Sequence, residues 1–571
     1  MKKIIITTIA IILSTAYSSL ACTNFLVTKG ASTTGSTFIS YSADAHVLYG
    51  ELYFWAAAKY PAGTMLKVYE WDTNKYLGEI PQATETYNVI GNMNEHSVAI
   101  GETTYGGLKE LEGSGMIDYG SLIYITLQRS RNAREAIKTI GELLANHGYA
   151  SSGESFSISD PNEVWILELI GKGKNDKGAV WVAVRIPDGY VSAHANQARI
   201  TTFPLESKKV KNSISFKNIN KIFEPQIEFV YSNDVISFAR ESGYFSGTDS
   251  EFSFSDTYAP LDFGAARGCE ARVWSFFKQV NSDMMQYEDY ALGHNLKNRM
   301  PLYIKPDKKL SLNDVRIGMR DHYEGTKMDM TKDAGAGEYA NPYRWRPMSF
   351  ELDGENYVHE RATATQQTGF WFIAECRSWL PNPIGGILWF GVDDAATSCL
   401  TPIYCSATRV PECFAVGNGD MNTYSETSAF WLFNRVTNFA YSRYNAISVD
   451  IIEVQSQLES FSEELVVKMD EKAVALYAQN PDGAIELLTD FSIDLAQVMF
   501  ARWKKLDQYL LVKYIDGNIK KERNGKFERS FARSADGYPE SPTQPALSER
   551  TKRIIVESNG DILRKPKAVE N

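Results

Sequence analysis

Histidine is scarce, with seven in 571 residues, and cysteine scarcer still, with six. There is no Cys-x-x-Cys pair, and no histidine lies near Cys399, Cys405 and Cys413 in sequence. Zinc-type ligand spacing is therefore absent. No G-x-G-x-x-G follows a strand-like run and there is no P-loop, which removes the sequence grounds for a dinucleotide or nucleotide site. No internal apolar run reaches the ~18 residues that a membrane-spanning helix needs. Positive charge is in deficit, 59 Lys+Arg against 70 Asp+Glu, for a net −11. That balance argues against a general nucleic-acid binder. With 23% charged and 44% hydrophobic residues the chain is neither disordered nor collagen-like. Its length admits three or four domains of ~150 residues or one large elaborated domain. Aromatics are plentiful, with 11 Trp, 31 Tyr and 28 Phe, which suits a large core or a pocket that grips organic ligands.

The amino terminus reads as an address. Lys2-Lys3 precede an apolar run over 4–13, then small residues ending in Ser19-Leu20-Ala21. This is the pattern of a secretory signal cut after Ala21. The first residue of the remaining chain would be Cys22. It has three readings: a lipid-acylated cysteine, a structural cysteine, or a catalytic N-terminal nucleophile. Lipoprotein signals usually carry leucine three places before the cysteine, and here that place holds Ser19. An exported chain can oxidise its thiols, so Cys399, Cys405 and Cys413 could supply one local disulfide.

Residues 23–28 and 37–42 read as strands about a turn at 29–36, a hairpin that begins at Cys22. Residues 94–105 contain a further strand. Helical spacing runs over 121–148 and stops at Gly148. Hairpins are expected about Pro161-Asn162 and about Pro187-Asp188-Gly189. Apolar spacing suggests helices over Ile227 to Arg240 and Glu270 to Met285. The region 295–425 shows short strands among Gly, Pro and Trp, and 447–515 is mostly amphipathic helix. Strands cluster early and helices interleave, which favours α+β layers over a doubly wound sheet.

A cysteine at a chain terminus carries a base on its own backbone. The thiolate is the nucleophile, and a free thiol has a pKa of ~8.5. The α-amine, with a pKa of ~7.7–8.0, can take the thiol proton and later protonate the leaving amine. No histidine is required. Cys22 to Val27, Gly35-Ser36-Thr37, Ser42-Ala43-Asp44, Met93 to Thr104, His194-Ala195-Asn196, Arg267 to Trp274 and Pro383 to Trp389 form an ordered set. In this the chain resembles the dipeptidase D-type cysteine peptidases, N-terminal nucleophile hydrolases related to penicillin V acylase and bile salt hydrolase. The likeness extends to about residue 515.

The resemblance implies an α+β fold, a four-layer αββα sandwich with additional helices toward the C-terminus. It implies amide hydrolysis of small peptides through a thioester on Cys22, with no cofactor or metal. By position Cys22 matches the nucleophile, Asp44 the group that holds the α-amine, and Asn196 the oxyanion donor. Arg272 or Arg267 matches a later active-site arginine. Thr103 or Thr104 falls where the acylases have a polar group, and Glu102 is a candidate for a substrate amine. The acylases carry arginine three residues before the aspartate, where this chain has Tyr41. That departure argues against bile-salt specificity.

Each of these residues also has a plain reading. Asp44 and Asn196 could be turn formers, Arg272 a helix-surface ion pair, Glu102 an exposed strand position and His194 a packed strand histidine. The expected organisation is a signal at 1–21, a hydrolase domain at 22–515 and a charged tail at 516–571, with the product in the periplasm or outside the cell. Competing functions are an N-acyl amide hydrolase of the same fold and a lipid-anchored binding protein acylated at Cys22. Acylation of the α-amine would remove the base, so the anchored and catalytic forms exclude each other.

Overall fold

The computed structural model describes residues 21–345, 348–527 and 546–566. Residues 1–20, within the expected signal at 1–21, and 528–545 and 567–571, within the expected charged tail, lie outside the described residues. Two large sheets carry the architecture, and helices cover them, so the chain mixes α and β in keeping with an α+β fold. The first sheet has seven strands, ordered 303–304, 191–194, 24–27, 37–44, 368–376, 386–392 and 401–404. The second has nine, ordered 213–215, 229–231, 179–185, 164–171, 153–159, 99–106, 93–94, 89–90 and 54–55. Every neighbouring pair is antiparallel except 213–215 with 229–231.

Thr37–Asp44, Thr368–Cys376 and Gly386–Val392 are buried along their whole length. A strand buried on both faces reads as a near-continuous apolar run, as in TGFWFIAEC and GILWFGV. Successive side chains point to opposite faces, so one strand feeds two cores. Leu26, Ile39, Tyr41 and Phe372 share a core with Val164, Ile166 and Val182 of the other sheet. Phe25, Val27, Phe38 and Trp371 face the other way and pack with Trp274, Phe276, Val315 and Met319. Ile100, Phe156, Trp165 and Leu167 pack against Ile125, Ile137, Ile140 and Leu144.

The hairpin that starts at Cys22 is present, with Leu26 opposite Ile39 and Val27 opposite Phe38. The helical run over 121–148 is two helices, Tyr119–Leu127 and Ala133–His147. Asn132 breaks it, because its side chain accepts from the Glu135 N–H and caps the second helix. Gly148 ends that helix at φ 74°, a left-handed backbone that glycine adopts at no steric cost. Residues 447–515 lie in two helices of 34 residues, Tyr444–Tyr477 and Pro481–Tyr514.

Three local expectations are corrected. Ile227 to Arg240 is not a helix: Phe229–Tyr231 is a sheet strand and only Ser237–Glu241 is helical. Glu270 to Met285 is an α-helix only over Ala271–Val280, with a π turn at Ala266–Glu270 before it and a 3-10 segment after it. The turn at Pro187-Asp188-Gly189 does not close a hairpin. Ala179–Arg185 pairs in the nine-stranded sheet, whereas Val191–His194 pairs with Asn24–Val27 in the other. Cys399, Cys405 and Cys413, which could supply a local disulfide, are unpaired here, as are the other three cysteines. Among the described residues no helix is long and apolar enough to cross a membrane.

Candidate active site

Cys22 stands at the head of the first strand, 2% exposed, and lines a cleft together with Tyr41, Asp44, Glu102 and Phe370. In the full chain Ala21 is still attached, so the Cys22 nitrogen is a peptide N–H standing where a freed α-amine would stand. It donates to Asn196 Oδ1 at 2.9 Å. Asn196 follows the Val191–His194 strand at φ 59°, a left-handed position that asparagine tolerates better than most residues. Its Nδ2 donates to the Thr104 carbonyl at 2.7 Å, which fixes the amide orientation.

Arg272 binds the same locus from the helix side. Its Nη1 donates to the Cys22 carbonyl at 2.7 Å and to Thr23 Oγ1 at 2.9 Å, and its Nη2 to Asn196 Oδ1 at 2.8 Å. Nε donates back to Gly268 O at 2.9 Å, within the π turn that precedes the helix. Burial, then the neighbouring Arg361, hold this guanidinium below its usual range.

The sulfur faces the second sheet. Cys22 Sγ lies 3.6 Å from Glu102 Oε1 and 3.8 Å from Tyr41 Oη, and Tyr41 donates to Glu102 Oε1. Glu102 can approach because its neighbour is glycine: a Cβ on Gly101 would lie 2.3 Å from Asn24 Oδ1. Burial, then Glu102, then Asp44, push the Cys22 thiol well above its ordinary value. Burial also raises Glu102. Glu154 is raised further, by burial and then by Glu102. Glu102 Oε2 and Glu154 Oε2 are buried without hydrogen-bond partners. Of the two, Glu154 is held the more strongly in its protonated form.

With Ala21 attached, the single hydrogen on the Cys22 nitrogen goes to Asn196, and the Asp44 carboxylate has other partners. The Asp44 carboxylate accepts from Arg361 Nη2 at 2.6 Å, Thr368 Oγ1 at 2.6 Å and Ser42 Oγ at 3.2 Å. Its backbone carbonyl accepts from the Ala21 N–H at 2.8 Å, and Arg361 Nη2 also donates to the Ala21 carbonyl at 3.0 Å. Asp44 and Arg361 together thus grip the residue before Cys22.

Peptidase family C69 matches residues 21–457. The chain belongs to peptidase family C69. It is 24% identical over 505 residues to a probable dipeptidase of Latilactobacillus sakei, covering 83% of this chain and 92% of that protein. Likeness to a probable dipeptidase of Salmonella dublin is 23% over 415 residues, 67% of this chain and 81% of the other. A dipeptidase of Bifidobacterium longum is 23% identical over 497 residues, 80% of this chain and 84% of that protein.

In this C69 peptidase the structure brings Cys22, Asn196, Arg272, Glu102 and Tyr41 together and keeps Arg267 apart. Arg267 is ion-paired with Glu360 at 2.8 Å. Thr103 donates to or accepts from His194 Nδ1 at 2.7 Å, and Ser157 meets the other ring nitrogen at 2.7 Å. Burial lowers the His194 pKa to about 3, so it is a neutral packed histidine. Thr104 gives its hydroxyl to Glu154 at 2.7 Å and its carbonyl to Asn196. Sequence reasoning missed Arg361, Thr368 and Glu154. No local pattern could join Arg361 to an aspartate 317 positions away. Asp333, His359 and Glu360 bring ligand atoms within 4.8 Å of one another. Asp333 is already ion-paired with Arg344 at 2.6 Å, and Glu360 with Arg267, so both carboxylates are compensated without a metal.

Proposed function

We propose that this peptidase is an exported cysteine dipeptidase working through a thioester on an N-terminal Cys22, in a four-layer αββα sandwich of the N-terminal nucleophile type. The observation that carries this reading is a buried thiol on the very residue whose backbone nitrogen is held by Asn196 Oδ1 at 2.9 Å. The names of the relatives support the substrate class. The sandwich is supported by the packing of Thr37–Asp44 against Ala99–Gly106 and Gly153–Ser159, with helices on the outer face of each sheet.

Once the bond after Ala21 is cut, the freed α-amine sits beside Sγ. It takes the thiol proton as sulfur attacks the peptide carbonyl. It returns that proton to the departing amino group of the second residue, leaving a thioester. Water, deprotonated by the same amine, then attacks the thioester carbonyl, and the acid leaves as Cys22 regains its thiol. In this mechanism Asn196 Oδ1 and Arg272 fix the nitrogen and the carbonyl of Cys22, whereas Asp44 and Arg361 hold Ala21 only until the cut removes it. Glu102, 3.6 Å from the sulfur, receives the substrate α-ammonium. A cleft with carboxylates favours that ammonium over the neutral acyl chain of an N-acyl amide. A sulfur pointing into the cleft also speaks against the lipid-anchored form.

The test is N-terminal sequencing of exported protein with a dipeptide panel. A free Cys22 terminus, turnover, and loss of turnover in Cys22→Ala at unchanged melting temperature are expected. Dipeptide hydrolysis that persists in Cys22→Ala would end this reading.

A further inference from the structure

Beyond the sulfur, the cleft has a more exposed part that the chemistry at Cys22 does not use. Its walls come from residues 53–55, the turn at 71–72 and the Tyr119–Leu127 helix. Trp55 stacks on Tyr124 with ring centroids 4.8 Å apart and planes at 7°. Tyr53 meets Trp71 edge-on at 4.7 Å, and Trp55 and Trp71 lie 6.2 Å apart. This wall is anchored. The Trp71 backbone N–H donates at 2.8 Å to Asp118 Oδ2, on the residue that caps the helix. A Cβ on Gly120 would come within 2.5 Å of the Trp71 ring, so the bare helix position lets the indole seat against it.

Asp72 lines the same space, and its Oδ1 accepts from Tyr119 Oη at 2.9 Å. The charged side chains lining the cleft are Asp44, Asp72 and Glu102, with no lysine, arginine or histidine among them. Asp44 is ion-paired with Arg361. Glu102 lies against the sulfur, with its Oε2 buried and unpartnered.

In an acyl group bonded to Sγ the α-nitrogen is only two bonds from the carbonyl carbon, so it falls beside Glu102. The side chain is the part that can extend into the aromatic region. Four aromatic rings around an acidic end suit a long apolar stem with a cationic tip. A neutral side chain would fill the walls but desolvate the Asp72 carboxylate without pairing it. Resting on the dipeptidase reading above, we propose that this part of the cleft holds the side chain of the substrate's amino-terminal residue, and that Asp72 selects lysine or arginine there.

The experiment is calorimetric binding to processed Cys22→Ala protein, with and without Asp72→Asn. The ligands are Lys-Ala, Arg-Ala, Leu-Ala and Nε-acetyl-Lys-Ala, all of which keep the α-ammonium. Lys-Ala and Arg-Ala are expected to bind about tenfold tighter than the other two, and Asp72→Asn to bring all four within about twofold. Asparagine can still accept from Tyr119, so a circular-dichroism melt should show the variant folded. Equal binding of charged and uncharged side chains would overturn the proposal. So would an equal loss on all four ligands in Asp72→Asn, which would place the α-ammonium on Asp72. Turnover by the unsubstituted enzyme separates the two readings. Selective binding without hydrolysis of any dipeptide sinks the peptidase mechanism and leaves the pocket. Hydrolysis without side-chain preference does the reverse.

Discussion

Replacing Glu102 with glutamine should lower the pKa of the Cys22 thiol. The sulfur is 3.6 Å from Glu102 Oε1, and a negative charge there opposes a thiolate. Two unit charges at that distance interact by roughly 4–5 kcal/mol at an effective dielectric of about 20. Burial raises Glu102 itself, so part of that charge is absent near neutrality and the expected shift is on the order of one pKa unit. Glutamine keeps an oxygen for Tyr41 and nearly the same volume, so packing is preserved. The assay is the pH dependence of iodoacetamide alkylation at Cys22 in processed protein, read by intact mass. An unmoved or raised inflection in Glu102→Gln would refute the reasoning.

Two further outcomes are expected. His194 has a folded pKa of about 3, below an unfolded value near 6.5, so the unfolded chain binds its proton first as pH falls. Its contribution is therefore complete above about pH 6.5 and is lost toward pH 3, on the order of 1 kcal/mol per pH unit, and His194→Gln should flatten urea midpoints over that window. Gly101→Ala puts a Cβ 2.3 Å from Asn24 Oδ1, which should cost about 1–3 kcal/mol by chemical denaturation and displace Glu102, lowering kcat/KM as well.

Long strands such as TGFWFIAEC and GILWFGV were legible because burial on both faces leaves an unbroken apolar run. The opening hairpin was legible because a turn-rich segment separates two such runs. The sequence around Ile227 misled because its apolar spacing fits a helix locally, and pairing with Ser213–Ser215 decides otherwise. Pro187-Asp188-Gly189 announces a reversal but carries nothing about which sheet receives the next strand. In the site, Cys22 was visible through the cleavage pattern, and Arg272 through its place in the ordered set of matching segments. The hold of Asn196 on the Cys22 nitrogen and of Arg361 on Asp44 was not visible. It depends on the left-handed turn at Asn196 and on Arg361, and neither leaves a mark in the residues near Cys22.

The contacts that assemble the Cys22 site join positions far apart along the chain: 174 residues from Cys22 to Asn196, 250 to Arg272, and 317 from Asp44 to Arg361. Contacts of such span form late, because closing long loops delays them. The sulfur also meets a group from each sheet, Tyr41 from one and Glu102 from the other. A chain still threading or half collapsed therefore holds an ordinary thiol, away from Asn196, Arg272 and Glu102. On the mechanism proposed above, peptide-cutting competence arrives only once these distant segments have closed on Cys22.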